Sequence, residues 1–281
     1  MTDVAPEKLR VAVIGHVEHV TIGRAPALPA PGEIAHLAES CTIAGGGAGI
    51  AFHQLARSPG EVHLFTATGS DEAGHAVERA LSRIPAEIHI ARRDLPHTRD
   101  LAVITPDGER TIFVIGEPLH PRLRDDLPWE VLETCDAVYF TGQDPETLIE
   151  ARKARVLVVT SRRKQALDAS GVRADVVVGS TKDKREFSVL SDYTPSPAAL
   201  VMTEGERGGY IETRDGVVRF PAPVVPDRTV AAYGAGDTFA AALTWYLARG
   251  FPLLEACTRA GRHGGAVLRG INPLEWQMEL E

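Results

Sequence analysis

A set of short apolar runs, each closed by glycine or threonine, limits what this chain can become. Residues 9–15, 62–69, 137–140, 156–160, 176–179 and 200–203 read as buried strands. Helical signals fall between them. Residues 50–57 carry helix formers and stop at Ser58-Pro59-Gly60; Ser70-Asp71-Glu72-Ala73-Gly74 opens a helix running through Arg83; residues 145–154 are helical. Strands separated by helices argue for βα units and a parallel sheet, with ligands collecting at the strands' C-terminal ends. His16-Val17-Glu18-His19-Val20 stands at such an end.

Other segments carry a different pattern. Residues 101–105, the turn Pro106-Asp107-Gly108-Glu109 and residues 111–115 form a hairpin signal. Residues 33–43 alternate partly and suggest a strand pair or ribbon, after a connection marked by Pro26, Pro29 and Pro31. Residues 87–90 are briefly strand-like, and residues 210–220 form a ribbon around Asp215-Gly216. The early Val/Ile/Thr-rich ribbons fit a helix-flanked sheet poorly. They are expected to form a small β lid, in segments 17–43 and 88–115, inserted into a single α/β domain spanning residues 1–281.

The stretch richest in chemistry is Tyr233-Gly234-Ala235-Gly236-Asp237-Thr238-Phe239. From Phe239 the apolar residues Leu243, Tyr246 and Leu247 share a helical face, and Gly250 and Pro252 mark the end. A glycine-bearing turn before a helix offers free N–H groups and the positive end of the dipole, which is an anion site. Asp237 fits two readings there. It is either a helix cap or a base that takes a proton from a hydroxyl attacking phosphorus. The glycines favour the second, since close approach of backbone to a ligand requires them. Gly45-Gly46-Gly47-Ala48-Gly49 is a second glycine-rich turn before a helix; helix–sheet contact and backbone approach to a polar substrate both explain it.

Several classes are set aside. No Gly-x-x-x-x-Gly-Lys-Ser/Thr element exists, so this is not a P-loop protein. The dinucleotide fingerprint fails twice, with Ile50 and Phe239 where a third glycine belongs. His16, Glu18 and His19 lack a metal-ligand spacing; on an extended strand His16 and Glu18 point one way and His19 the other. Glu18 reads better as a hydrogen-bond acceptor for a hydroxylated substrate. The net charge of −8 on 281 residues argues against a nucleic-acid partner. Residues 1–8 hold no hydrophobic segment, no apolar run is long enough for a bilayer, and Cys41, Cys135 and Cys257 form no disulfide framework or zinc pattern. A cytoplasmic protein with no signal peptide and no membrane partner is expected.

With these residues in hand, the chain resembles the ribokinase-like, or PfkB, family of carbohydrate kinases over nearly its whole length. The resemblance implies a three-layer αβα sandwich with a mainly parallel central sheet and a small inserted β lid. Tyr233–Phe239 matches the family's Gly-Ala-Gly-Asp signature, which makes Asp237 the catalytic base and Gly234, Ala235 and Gly236 part of the anion hole. Gly45, Gly46, Gly47 and Gly49 stand where the family's glycines contact the sugar. Thr203-Glu204-Gly205 resembles the Thr-x-Gly at the nucleotide phosphates, with Gly208 beyond it. Asp183-Lys184-Arg185-Glu186 resembles the Asn-x-x-Glu element that acts through water on Mg²⁺, so Asp183 and Glu186 are the implied metal side chains. Residues 69–74 resemble the Gly-x-Asp-x-x-Gly segment. The last helix, around Ala260, Gly261, His263 and Gly264, is implied to line the adenine pocket. ATP and Mg²⁺ are the implied cofactors, and a homodimer through the lid is an implied assembly, permitted by Ile104, Ile112 and Val114.

Three departures stand out. Ala231-Ala232 replaces the usual Asp-Thr, which removes an Asp of the monovalent-cation site and argues against K⁺ activation. The Asn that closes the N-terminal signature is missing, with Gly49 or Ile50 in its place. The sugar-binding Asp of the first strand end has no clear match, and Glu18 is the nearest acidic candidate. The phosphoryl-transfer parts are therefore better kept than the acceptor-binding parts, and a non-ribose acceptor follows. The resulting expectation is an ATP- and Mg²⁺-dependent kinase acting on a hydroxyl of a small sugar or sugar-like acceptor, with a nucleoside as an alternative acceptor. Its rivals are a non-catalytic sugar- or nucleotide-binding or regulatory protein on the same fold, and a dinucleotide-dependent oxidoreductase.

Overall fold

The computed structural model describes residues 8–223 and 229–281. Residues 1–7, part of the N-terminal stretch read as lacking a hydrophobic segment, lie outside the described residues. The chain runs β1 (Arg10–Gly15), β2 (Glu18–Arg24), β3 (Ser40–Gly45), α1 (Gly46–Leu55), β4 (Glu61–Gly69), α2 (Glu72–Leu81), β5 (Glu87–Arg93), β6 (Arg99–Ile104) and β7 (Arg110–Ile115). It continues through β8 (Ala137–Thr141), α3 (Pro145–Ala151), β9 (Val156–Thr160), α4 (Lys164–Ser170), β10 (Val176–Ser180), β11 (Ala199–Thr203), β12 (Gly209–Thr213), β13 (Gly216–Phe220), α5 (Ala235–Ala248) and α6 (Leu253–Ala266).

The main sheet has nine strands in the order β13-β12-β11-β10-β9-β8-β1-β4-β5. Neighbours from β11 to β5 pair in parallel, and the β12–β13 hairpin closes one edge antiparallel. Successive β1 side chains enter opposite cores, as strand alternation requires. Val11 and Val13 pack under α1, α2, α5 and α6, while Ala12 and Ile14 pack against α3 and α4. The three expected layers are present. α5 is buried almost all round because α1, α6 and the sheet enclose it; Ala240, Ala241 and Ala242 are at most 2% exposed and let those neighbours come close.

The lid is a four-stranded sheet in the order β3-β2-β6-β7. Its inner face carries Val20, Ile22, Ile43, Ala102 and Ile104, packed on Ile50, Ala231 and Tyr233. Two boundaries differ from the sequence reading. Residues 87–93 belong to the main sheet as edge strand β5, paired in parallel with β4, and not to the lid. An edge strand buried on one side shows the same partial alternation as a lid ribbon, so the pattern alone does not separate them. Within residues 33–43 only Ser40 onward is strand; residues 26–36 are exposed connection. No helix among the described residues is long and apolar enough to cross a membrane.

Candidate active site

The turn before α5 folds as its glycines dictate. Gly234 sits at φ 79°, a left-handed conformation open to glycine, and α5 begins at Ala235. The Thr238 N–H donates to the Gly234 carbonyl at 3.0 Å, so the N–H groups of Ala235, Gly236 and Asp237 have no intrahelical partner. A Cβ added at Gly236 would meet nothing within 4 Å, which leaves those groups facing open space. Asp237 makes no cap hydrogen bond and accepts no hydrogen bond from the described residues. The cap reading therefore falls away. Burial, then the charge of Glu186, raises the Asp237 carboxyl to about 7, against the pull of Arg162, Arg110 and Arg163.

The first glycine-rich turn brings two of its four glycines beside Glu18 and Asp237. A Cβ at Gly47 would lie 2.9 Å from Thr141 Oγ1, 3.3 Å from His16 Cε1 and 3.4 Å from Asp237 Oδ1. One at Gly46 (φ +75°) would lie 2.9 Å from Glu18 Oε2. Gly46, Gly47, Glu18 and Asp237 thus converge. Gly45 packs instead on Val20 and the Tyr233 hydroxyl, and Gly49 on the Ala44 carbonyl, so these two serve chain packing. His16 Nε2 accepts from the Gly47 N–H at 3.3 Å and lies 3.7 Å from Glu18 Oε1, on the same side as the alternation predicts. Among the described residues no group of three His, Cys, Asp or Glu side chains is placed to hold a metal ion.

Glu18 has a partner the sequence did not reveal. Asp100 of β6 lies beside it on the inner face of the lid, and both residues are 6% exposed. Burial, then the charge of Asp100, pushes the Glu18 carboxyl far above the usual range, and burial raises Asp100 as well. One proton is therefore retained between them at neutral pH, and the pair offers an O–H donor as well as acceptors. The charged and polar groups around it are His16, Tyr233, Asp237 and Arg163. A carboxyl with a raised folded pKa contributes stability below its unfolded value, 4.5 for Glu18, that is lost as pH rises through the folded value. Glu18→Gln is thus expected to unfold at a higher temperature than the parent at pH 8 and at a similar one near pH 4, by about 2–4 °C for each kcal/mol relieved. Calorimetric melting at both pH values checks this; a lower melting temperature at pH 8 would refute it.

The residues expected on the nucleotide side lie at the ends of β10 and β11. Thr203 Oγ1 donates to the Gly179 carbonyl at 3.2 Å, and Gly205 (φ +63°) passes Lys182 so closely that an added Cβ would be 2.9 Å from Nζ. Gly208 turns the chain into β12 against Phe220 and serves the hairpin. Arg162 Nε donates to Glu186 Oε1 at 2.6 Å, and the same guanidinium binds Asp183. Of the implied α6 residues, Gly264 lets α6 approach the signature turn, with the Ala235 carbonyl 3.0 Å from where its Cβ would be. Gly261 lies 3.8 Å from Pro223 by the same measure, and Ala260 is in the core. His263 is 2% exposed and its Nε2 pairs with the Tyr246 hydroxyl at 3.0 Å. It joins α6 to α5.

Arg162 and Arg163 are the residues sequence reasoning missed. They follow the buried strand β9 after Ser161, at the end of the sheet where ligands collect, and two arginines there were the available signal. Asp100 and Arg110 gave no such signal, because lid residues reach the site only through strand pairing.

Comparison with known proteins identifies the family and the fold. The family model described as pfkB family carbohydrate kinase matches residues 8–273. A bifunctional protein HldE from Rhodopseudomonas palustris is 26% identical over 291 residues, covering 91% of this chain and 56% of that protein. The chain thus spans about half the length of the curated relatives it matches. Among solved structures, a ribokinase from Thermotoga maritima superposes with a TM-score of 0.76 at 17% identity, covering 96% of both chains. An adenosine kinase from Sinorhizobium meliloti gives 0.75 at 19%, covering 97% of both. At these identities the structures establish the ribokinase fold alone.

Proposed function

Because the chain belongs to the pfkB family of carbohydrate kinases, we propose that it transfers the γ-phosphoryl group of ATP to a hydroxyl of a sugar or sugar-like acceptor, with Asp237 as the base. One observation carries this reading. The Asp237 carboxylate accepts no hydrogen bond from the described residues, stands at the open N-terminus of α5, and lies 3.4 Å from the Cβ position of Gly47. A hydroxyl placed over Gly47 gives its proton to Asp237 as its oxygen bonds to the γ-phosphorus. The bond from that phosphorus to the β–γ bridging oxygen breaks, and ADP leaves. The free N–H groups of Ala235, Gly236 and Asp237 face the equatorial oxygens. Thr203, Gly205 and Lys182 stand where the nucleotide phosphates would lie.

Asp183 and Glu186 are the only implied metal side chains, and both are engaged by Arg162. Two carboxylates fit an ion carried mainly by nucleotide phosphates and reached through water, which is how Mg²⁺ is commonly held. Bound there, Mg²⁺ supplies charge neutralisation at the phosphoryl oxygens. Ala231 is 1% exposed in the apolar base of the lid, which supports independence from K⁺. The reading includes a cytoplasmic setting, supported by three unpaired cysteines, two of them buried.

The test is ADP release across a panel of sugars and nucleosides, alongside calorimetric nucleotide binding. Nucleotide binding with no acceptor turned over would mark the protein as the non-catalytic binder. The reading also includes a homodimer through the lid. Edge strand β7 exposes Ile112, Phe113, Val114 and Ile115, each by at least 40%, and an apolar edge of this kind needs cover. Val114→Asp is expected to convert a dimer to a folded monomer in light scattering. An unchanged mass sinks this interface.

A further inference from the structure

The two arginines after β9 part company around Asp237. Arg162 is occupied by Asp183 and Glu186 on the nucleotide side. Arg163 turns to the ends of β8 and β1. Its Nε donates to the Thr141 carbonyl at 2.9 Å, and its Nη2 lies 3.3 Å from His16 Nδ1.

That second contact does not satisfy the guanidinium. Burial, then the Arg163 charge, lowers the His16 ring to about 3, so it is neutral and has one acceptor nitrogen. Nε2 accepts from the Gly47 N–H, so the ring's one lone pair for an N–H partner is already taken there. The donating nitrogen is therefore Nδ1, and Arg163 Nη2 meets an N–H where it needs a lone pair. Among the described residues no carboxylate lies within salt-bridge distance of Arg163, although Glu18 and Asp237 are near enough to favour its charge. A partly buried guanidinium left in this state is costly until an anion arrives.

A separate observation points the same way. His120 is 7% exposed, and neither of its ring nitrogens has a partner. Its ring centroid is 5.0 Å from that of His16. It also lines a cavity of about 610 Å³, together with Arg122, Gln143 and the carboxylates of Glu117 and Asp144. Arg93 also lines this cavity, but Asp125 neutralises it with two hydrogen bonds. His120 thus stands beside His16 with ring nitrogens that have no partner, and it also borders space for more of a ligand.

We propose that the acceptor already carries an anionic group, a phosphate or a carboxylate, that Arg163 binds, and that the acceptor extends past His120 into this cavity. The anion belongs to the acceptor and not to the nucleotide. Arg163 hangs on the strand ends that flank Gly47, while the transferred phosphoryl group has the N–H groups of α5 and the nucleotide side has Arg162. The proposal uses the kinase reading to say which ligand lies where, and its test does not depend on turnover.

The nucleotide site is first filled with the non-hydrolysable analogue AMP-PNP, and inorganic phosphate is then titrated calorimetrically. Arg163→Gln is expected to weaken phosphate binding about tenfold, the scale of a charge-assisted hydrogen bond. Arg163→Lys should retain part of it, and AMP-PNP affinity should be unchanged in both variants. Glucose 6-phosphate and glucuronate, each compared with glucose as competitors of bound phosphate, then separate a phosphate ester from a carboxylate. No phosphate binding by the parent protein, equal binding by Arg163→Gln, or competition by glucose as strong as by both anions would overturn the proposal. If AMP-PNP itself does not bind, the kinase reading fails separately, and the phosphate titration without it still decides the role of Arg163.

Discussion

Asp237→Asn is expected to lower turnover by about 10²–10⁴-fold while leaving nucleotide affinity nearly unchanged, the range for loss of a positioned general base. The side chain keeps its size and loses only the ability to take a proton. The parent enzyme should also show the titration of this group. Its carboxyl is held near 7 by burial and by Glu186, and only the ionised form is a base. The rate should therefore climb as pH rises through about 7 and level off above it, and this limb should vanish in the variant. Stability should move the opposite way. The raised folded pKa contributes stability below the unfolded value of 3.8 that is lost as pH rises through about 7. Asp237→Asn should therefore melt no lower than the parent at pH 8, which excludes misfolding as the cause of inactivity. Turnover at the parental rate by the Asn variant would remove Asp237 from the mechanism.

The parts of this molecule legible in its sequence are those set by local pattern. The strands at 9–15, 137–140, 156–160, 176–179 and 200–203 were visible because their apolar runs are short, continuous and punctuated. The α5 turn was visible because Gly234 needs positive φ and Asp237 is an unusual residue to place beside an anion site. Strand β5 was assigned to the lid because neighbour identity, not alternation, decides which sheet a half-buried edge strand joins. Asp100 was invisible for a related reason. Its meaning comes from the parallel β2–β6 register, which brings it beside Glu18 across a long stretch of chain. Arg163 drew no reading from the sequence, because its contacts with Thr141 and His16 exist only once the strands are paired.

Gly47→Val separates the site from the scaffold most sharply. Gly47 has no left-handed φ, so a side chain there brings no backbone strain, unlike one at Gly46 with φ +75°. The added carbon meets Thr141 Oγ1 at 2.9 Å, a side-chain tip, and points into the gap beside Asp237 Oδ1 at 3.4 Å. Folding should therefore survive with a modestly lower melting temperature, since buried Thr141 has to yield, whereas Gly46→Val adds backbone strain and should lose more stability as well as activity. In the proposed mechanism, however, the acceptor hydroxyl occupies the space the valine fills. Displacing it by about 1 Å from Asp237 is enough for roughly a 10²-fold loss in kcat/KM. Gly47→Ala should fall between the parent and Gly47→Val, since the loss tracks the volume added over Asp237. ATP binding should be indifferent to the whole series, because the proposed nucleotide contacts, Thr203 and Gly205, are not among the atoms a side chain at Gly47 would meet. A Gly47→Val protein that binds ATP and phosphorylates its acceptor at the parental rate would place the hydroxyl elsewhere, and with it the acceptor side of the site.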